Sequence, residues 1–223
     1  MPTERGWDTH METFYASLAV AYARGMLGQQ PDERDDALLT RAREAGLKLH
    51  RFKHTMGLPR IRAVLGILRG LAPANLLDIG SGRGVFLWPL LDGFPELPVT
   101  AAERDERRLS HLKAVRRGGL DRLTIAPGDA STLPFPDRSF DVVTVLEVLE
   151  HQDDPRPLAY EAMRLAARFV IASVPSKPDD NPEHVQLFTP ETLRELLIEA
   201  GAAKVQTDHV LNHIIAVARI DAS

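Results

Sequence analysis

Two segments in the second half of the sequence carry side chains that can take up a proton. The segment EVLEH carries Glu147, Glu150 and His151, and the segment NPEHVQLF carries His184. An imidazole has an ordinary pKa of about 6.5, so His151 is the best general base by residue type, with Glu150 or His184 as substitutes. This grouping predicts removal of a proton from a hydroxyl or an amine.

A second pattern is the segment LLDIGSGRG, in which a short apolar run enters a turn with glycine at every second position. Gly80, Gly82 and Gly84 permit backbone conformations that other residues avoid, so the main chain can pass close beneath a ligand. The apolar run from Leu76 predicts a central parallel strand with both faces buried. The residues from Val85 onward predict a helix whose first N–H groups point at the ligand.

Acidic residues follow the next predicted strands. Glu103 ends a strand over residues 99–102, roughly 20 residues after the glycines, where a carboxylate can accept hydrogen bonds from ribose hydroxyls. Asp129 follows a strand over residues 123–126, and Glu147 lies near the end of a fourth strand. Because the carboxyl ends of parallel strands meet at one edge of a sheet, we expect the loop, these acids and the EVLEH segment to converge.

The glycine spacing distinguishes two cofactor classes. The loop that binds a nicotinamide dinucleotide has the pattern GxGxxG, whereas here Gly84 comes one residue early and Val85 stands at the third glycine position. A pyrophosphate needs close approach at the helix start, so the alternating GxGxG loop favours a ligand without phosphates. A dehydrogenase is therefore disfavoured.

The ordered motifs from Leu76 to about Ile220 resemble those of the class I S-adenosylmethionine-dependent methyltransferases. The resemblance implies an α/β fold with a Rossmann-like, doubly wound, seven-stranded sheet, a C-terminal antiparallel hairpin and an N-terminal helical cap. It implies a cap over residues 1–72 and a methyltransferase domain over residues 73–223. It also implies S-adenosylmethionine as cofactor and an oxygen or nitrogen nucleophile as methyl acceptor.

The resemblance also assigns roles to residues. In that family the glycine loop holds the methionine part of the cofactor, the acid matching Glu103 binds the ribose, and the acid matching Asp129 contacts the adenine. The acid matching Asp78 orients the loop and the cofactor's ammonium group. The predicted cofactor-binding residues are Asp78, Gly80, Ser81, Gly82, Gly84, Glu103, Arg104, Asp129, Ala130 and Glu147. The predicted catalytic residues are His151, Glu150 and His184.

The EVLEH motif has a narrower resemblance. Together with a distant histidine it is similar to the metal-binding set of the Hen-type small-RNA 2′-O-methyltransferases, and by itself to the ubiquinone-pathway O-methyltransferases. This similarity predicts Mg²⁺, Mn²⁺ or Zn²⁺ held by Glu147, Glu150, His151 and His184. Because such motifs are widespread without a metal, a metal-free site is the alternative. An RNA methyltransferase and a cofactor-binding protein without activity are further alternatives.

Three helices are predicted ahead of the first strand. The first runs through Tyr22, the second from Asp35 or Asp36 to Met56, and the third from Pro59 to Gly70. Residues 41–69 include eight basic side chains and one acidic side chain. These basic residues form either a solvated helical face or a lid that recruits an anionic acceptor or RNA.

The composition limits the classes of protein and of site that the chain can form. The chain has 223 residues, 44% of them hydrophobic, which suits one well-cored domain with a helical extension. It contains no cysteine, which excludes disulfides and thiolate zinc sites. A net charge of −4 disfavours indiscriminate nucleic-acid binding, so a small-molecule acceptor is preferred to RNA. No signal or membrane-spanning segment is evident, and we expect a cytoplasmic protein.

Overall fold

The computed structural model describes residues 4–52, 57–178 and 180–221, with side chains from Thr13 onward. Within these ranges helices cover both faces of one seven-stranded sheet. The strands are β1 (Leu76–Ile79), β2 (Val99–Glu103), β3 (Leu123–Pro127), β4 (Phe140–Leu146), β5 (Ala166–Pro175), β6 (Lys204–Val210) and β7 (His213–Arg219). The helices are α1 (Glu4–Leu27), α2 (Asp35–Glu44), α3 (Pro59–Leu71), α4 (Leu87–Gly93), α5 (Glu106–Arg117), α6 (Arg156–Leu165) and α7 (Pro190–Glu199). Short 3₁₀ turns lie at Leu49–Arg51 and Leu149–His151.

The sheet has the strand order β3-β2-β1-β4-β5-β7-β6. Its centre is parallel, and Ile79 of β1 lies opposite Ala102 of β2 and Val145 of β4. Strand β7 is antiparallel to both β5 and β6, which gives the C-terminal hairpin. The predicted fold class is therefore confirmed.

Successive residues of the central strands face opposite helical layers. Leu76 and Val142 pack in a core with α1, α3, α4 and α5, whereas Leu77 and Val143 pack in a second core with α6 and α7. Burial on both faces explains why β1 is an unbroken apolar run rather than an alternating one.

Helix α1 packs closely on α5 because two glycines remove side chains from the contact. A Cβ on Gly25 would lie 1.8 Å from the carbonyl oxygen of Ala114, and a Cβ on Gly118 would lie 1.7 Å from that of Ala21. Helices α1 and α3 thus share a core with the sheet. The predicted division into residues 1–72 and 73–223 stays a prediction.

The predicted length of the second helix was wrong. Helix α2 ends at Glu44, since Gly46 takes the left-handed conformation with φ of 76° and the N–H of Leu47 donates to the carbonyl of Ala42 at 2.9 Å. This is a glycine C-cap that stops the helix within its apolar stripe. Met56, the predicted end, lies outside the described residues.

Other predicted boundaries agree closely with the structure. Asp105 caps α5 by accepting a hydrogen bond from the N–H of Arg108 at 2.8 Å, and Thr189 caps α7. Helix α4 begins two residues later than the predicted Val85. No helix in the described ranges is long and apolar enough to cross a membrane.

Candidate functional site

A cleft of about 670 Å³ opens beyond the carboxyl ends of the central parallel strands. It is lined by every predicted cofactor-binding residue except Gly84. Among the predicted catalytic residues, His151 lines the cleft, while Glu150 and His184 do not. The first turn of α3 closes one side with Arg60, Ile61 and Val64.

The glycine loop adopts the backbone conformation that its sequence requires. Gly80, Gly82 and Gly84 have φ values of 75°, 58° and 82°. A Cβ on Gly84 would lie 2.1 Å from Nε1 of Trp88, which donates a hydrogen bond to the Arg83 carbonyl at 3.1 Å. Gly84 therefore shapes the loop from behind rather than lining the cleft.

Glu103 is fixed at the end of β2 by main-chain donors. Its Oε2 accepts a hydrogen bond from the N–H of Gly82, and its Oε1 accepts from the N–H groups of Arg104 and Asp105, each at 2.9 Å. The side chain is buried but reaches the cleft. Each carboxylate oxygen carries two lone pairs, so Oε1 is saturated and Oε2 can accept one further hydrogen bond.

Asp78 is a buried carboxyl group beneath the glycine loop. Its Oδ1 accepts a hydrogen bond from Oγ1 of Thr144 at 2.8 Å, whereas its Oδ2 has no partner among the described residues. Burial raises the pKa of Asp78 to about 6; hydrogen bonds from Ser81 and Thr144 oppose this rise, and the charge of Glu103 adds to it. A cationic group of a ligand at Oδ2 would favour the ionised form.

Asp129 follows β3 at the exposed end of the cleft, beside Ala130. Its Oδ1 accepts hydrogen bonds from Oγ and N–H of Ser131 at 2.6 and 2.8 Å. These bonds hold the pKa of Asp129 below its ordinary value. An ionised acceptor is thus available at this end of the cleft.

Sequence comparison shows which family the segment that builds this site resembles. A family profile described as a methyltransferase domain matches residues 77–168, the segment that contains the glycine loop, Glu103, Asp129 and the EVLEH motif. The matched segment, which is less than half of the chain, is of the class I S-adenosylmethionine-dependent methyltransferase type. S-adenosylmethionine (SAM) is the cofactor of this family.

Individual relatives give the extent of the similarity. Demethylspheroidene O-methyltransferase of Rhodobacter capsulatus is 28% identical over 63% of this chain and 39% of its own. Malonyl-[acyl-carrier protein] O-methyltransferase of Methylococcus capsulatus is 36% identical over 33% of this chain and 26% of its own. The chain thus spans less than half of the length of these relatives.

Solved structures support the fold. A SAM-dependent methyltransferase from Aquifex aeolicus matches with a TM-score of 0.63 and 20% identity, covering 74% of this chain and 92% of its own. The [4+2]-cyclase SpnF matches with a TM-score of 0.58 and 16% identity, covering 73% and 82%. A cyclase on this fold shows that the fold alone does not determine the reaction.

Glu147 forms a polar cluster at the end of β4, which β2 and β1 separate from β3 and the Asp129 that follows it. Its Oε1 accepts a hydrogen bond from Oγ of Ser173 at 2.7 Å, and its Oε2 lies 3.0 Å from Nε2 of His213 and 3.8 Å from Nε of Arg60. Burial would raise the pKa of Glu147, but His213, Ser173 and Arg60 outweigh it and hold the pKa below its ordinary value.

A second group joins three of the four residues of the predicted metal set. Ligand atoms of Glu150, His151 and His184 all lie within 4.8 Å of one another, and the two imidazole centroids are 4.8 Å apart. Glu147 does not belong to this group, since its carboxylate is directed toward Ser173 and His213. The structure thus brings together three of the four predicted ligands and not Glu147, and a metal at this group stays a prediction.

His151 is held in one tautomer by its surroundings. Its Nδ1 lies 2.9 Å from the carbonyl oxygen of Glu183, which can only accept a hydrogen bond, so Nδ1 carries the hydrogen. Nε2 is then the nitrogen that can take up a proton.

The basic residues between positions 41 and 69 do not gather over the cleft. Arg41 pairs with Glu33 at 2.7 Å within the helical layer, and of the described members of this group Arg60 alone lines the cleft. Lys53 lies outside the described residues. Recruitment of an anion or RNA by this group as a whole stays a prediction.

Sequence reasoning missed His213 and Ser173. Ser173 lies near the end of β5, and His213 is the first residue of β7. Because β7 is antiparallel to β5, its amino end lies at the edge where β5 ends, with His213 paired to Pro175. The predicted antiparallel hairpin contained this signal, since it places the start of one strand at the functional edge.

Proposed function

We propose that this protein is a SAM-dependent methyltransferase that moves a methyl group to an oxygen or nitrogen nucleophile of a small molecule. The observation that carries the proposal is the Glu103 carboxylate, fixed by three main-chain N–H groups beside the glycine loop. The cleft of about 670 Å³ has the size of a typical small-ligand site. Relatives named as O- and N-methyltransferases support both nucleophile types.

The residues of the cleft fit this cofactor. The buried Oδ2 of Asp78, which has no partner among the described residues, suits the ammonium group of the amino-acid part. Oε2 of Glu103 would accept a hydrogen bond from a ribose hydroxyl, and Asp129 with Ala130 would contact the adenine. When bound, the cofactor supplies an electrophilic methyl group on a positively charged sulfonium.

His151 is the residue that we propose to receive the proton of the acceptor. It lines the cleft, and the Glu183 carbonyl fixes its tautomer so that Nε2 is the basic atom. Alignment of the nucleophile is the main requirement of methyl transfer, and proton removal adds to it. Glu150 and His184 would act behind His151 by orienting it.

The cluster of Glu150, His151 and His184 also supports a metal-assisted form of the same reaction. One carboxylate and two imidazoles are a donor set that suits Zn²⁺ or Mn²⁺, and the ligand atoms are close enough to share an ion after small side-chain movements. A metal held there would lower the pKa of an acceptor hydroxyl. A chelator would abolish the activity of this metal-assisted form but not that of a form in which His151 alone receives the proton.

Arg60 favours an acceptor that carries a carboxylate or phosphate. Its side chain lines the cleft and is only 21% exposed, so solvent and salt screen its charge less than the charge of a surface arginine. A planar guanidinium can donate two parallel hydrogen bonds to either group.

The test combines binding with transfer. Titration calorimetry should show SAM binding to the parent protein, and Glu103→Ala should weaken it by about 10- to 100-fold because the ribose loses a charged acceptor. Glu106→Ala is the matched control, since Glu106 lies at the start of α5 and does not line the cleft. Labelled SAM incubated with a metabolite extract should yield a methylated product. Tighter binding of NAD than of SAM would contradict the assignment.

A further inference from the structure

Glu147 has an unfavourable backbone conformation at the point where β4 ends. Its φ is 58°, in the left-handed region that residues with a side chain rarely occupy. Its N–H donates a hydrogen bond to the carbonyl of Ser173 at 2.9 Å, which ties it to β5. Such strain persists only where the surroundings enforce it, and it is concentrated at functional sites.

The strain places a carboxylate in the cleft, and both of its oxygens are held. Ser173 holds Oε1 from β5, and His213 holds Oε2 from β7, while Arg60 approaches from α3. Because the pKa of Glu147 lies below its ordinary value, the group stays ionised at neutral pH. An ionised carboxylate, paired with His213 and approached by Arg60, therefore lines the cleft.

This charge lies next to the glycine loop. Val148, the following residue, packs so closely on Gly80 that a Cβ there would lie 2.6 Å from its Cγ2. The pairing of Ile79 with Val145 brings the ends of β1 and β4 side by side. Glu147 is thus adjacent to the loop that would hold the methionine part of the cofactor, which carries the sulfonium.

We propose that Glu147 is a counter-charge that makes the cleft select the cationic sulfonium of SAM over the neutral thioether of S-adenosylhomocysteine (SAH). His213 and Ser173 are positioning residues that act through it. The inference rests on the proposed function and deepens it, since preference for the charged form favours exchange of product for fresh donor. The two compounds share the ammonium, carboxylate, ribose and adenine groups and differ only at the sulfur, in the methyl group and the positive charge that it brings.

The experiment is calorimetric titration of SAM and SAH into the same proteins at pH 7.5. Glu147→Gln keeps the shape and removes the charge, and it should weaken SAM binding about tenfold while changing SAH binding less than about twofold. His213→Gln and Ser173→Ala should lower the SAM preference in part. Asp78→Asn should weaken the binding of both compounds alike, because both carry the ammonium group. His209→Gln, on the exposed side of β6, should change the affinity for neither SAM nor SAH.

A ratio of SAM to SAH affinity that is the same in Glu147→Gln and the parent would overturn the inference. If both compounds bind equally more weakly, the ratio is unchanged and Glu147 only shapes the loop. Should Glu147→Gln fail to fold, an unchanged ratio in both Ser173→Ala and His213→Gln overturns it as well. Failure of the parent to bind either compound would instead refute the proposed function.

Discussion

Replacement of Asp78 by asparagine should have opposite effects on stability and on cofactor binding. Asp78 is 2% exposed, and burial raises its pKa from the ordinary 3.8 to about 6. The folded protein therefore binds this proton more tightly than the unfolded chain does. The contribution of the carboxyl group to stability is present below a pH of about 4 and is lost as the pH rises through about 6.

The raised pKa gives the size of the effect. The difference between 3.8 and about 6 corresponds to about 3 kcal/mol of unfolding free energy lost at pH 8 and about half of that at pH 5. Asparagine carries no charge and can still accept the hydrogen bond of Thr144, although its amide hydrogens need partners. We expect Asp78→Asn to be about 1–3 kcal/mol more stable than the parent at pH 8, with a smaller gain at pH 5.

Urea denaturation of the protein without cofactor at the two pH values measures this gain. Asp153→Asn, which removes an exposed carboxylate, is the matched control and should change stability little. An effect of Asp78→Asn that is the same at pH 5 and pH 8 would refute the buried-charge argument. In the parent, affinity for SAM and for SAH should fall as the pH drops below about 6, because the ammonium group requires ionised Asp78. In Asp78→Asn both affinities should be about 10- to 100-fold weaker and lack this pH dependence.

Two further predictions concern the loop and the base. Gly84→Ala should destabilise the protein by about 1–3 kcal/mol and lower its melting temperature, since the added Cβ meets Trp88 at 2.1 Å and φ is 82°. Gly66→Ala, in open space within α3, should raise the melting temperature. Equal melting temperatures of Gly84→Ala and Gly66→Ala would contradict the steric argument. His151→Ala should reduce the turnover of an identified acceptor about 10²- to 10⁴-fold at unchanged SAM affinity. Partial recovery at higher pH would indicate a general base. Loss of activity in both His151→Ala and His184→Ala, together with inactivation of the parent by a chelator, would indicate a metal. Full activity of His151→Ala at neutral pH would exclude both roles.

Local patterns predicted most of the fold, and most of the residues that the family resemblance assigned to the cofactor line the cleft. The β1 strand and the Asp105 cap are encoded by residues close in sequence, so they were found at their correct positions. The end of α2 was missed because Gly46 looked like an interior residue of a continuous apolar stripe, whereas its positive φ ends the helix. Ser173 and His213 were missed because His213 reaches Glu147 through strand pairing, which follows from the predicted hairpin but not from residue spacing alone.

The antiparallel placement of β7 brings a residue from near the end of the chain to the edge where the parallel strands end. Asp78, Glu103 and Asp129 fall within residues 77–168, which match the family profile, whereas Arg60 precedes this segment and His213 follows it. Substitutions at Arg60 and His213 therefore change the shape and charge of the cleft from outside the matched segment, while its three acidic residues stay the same.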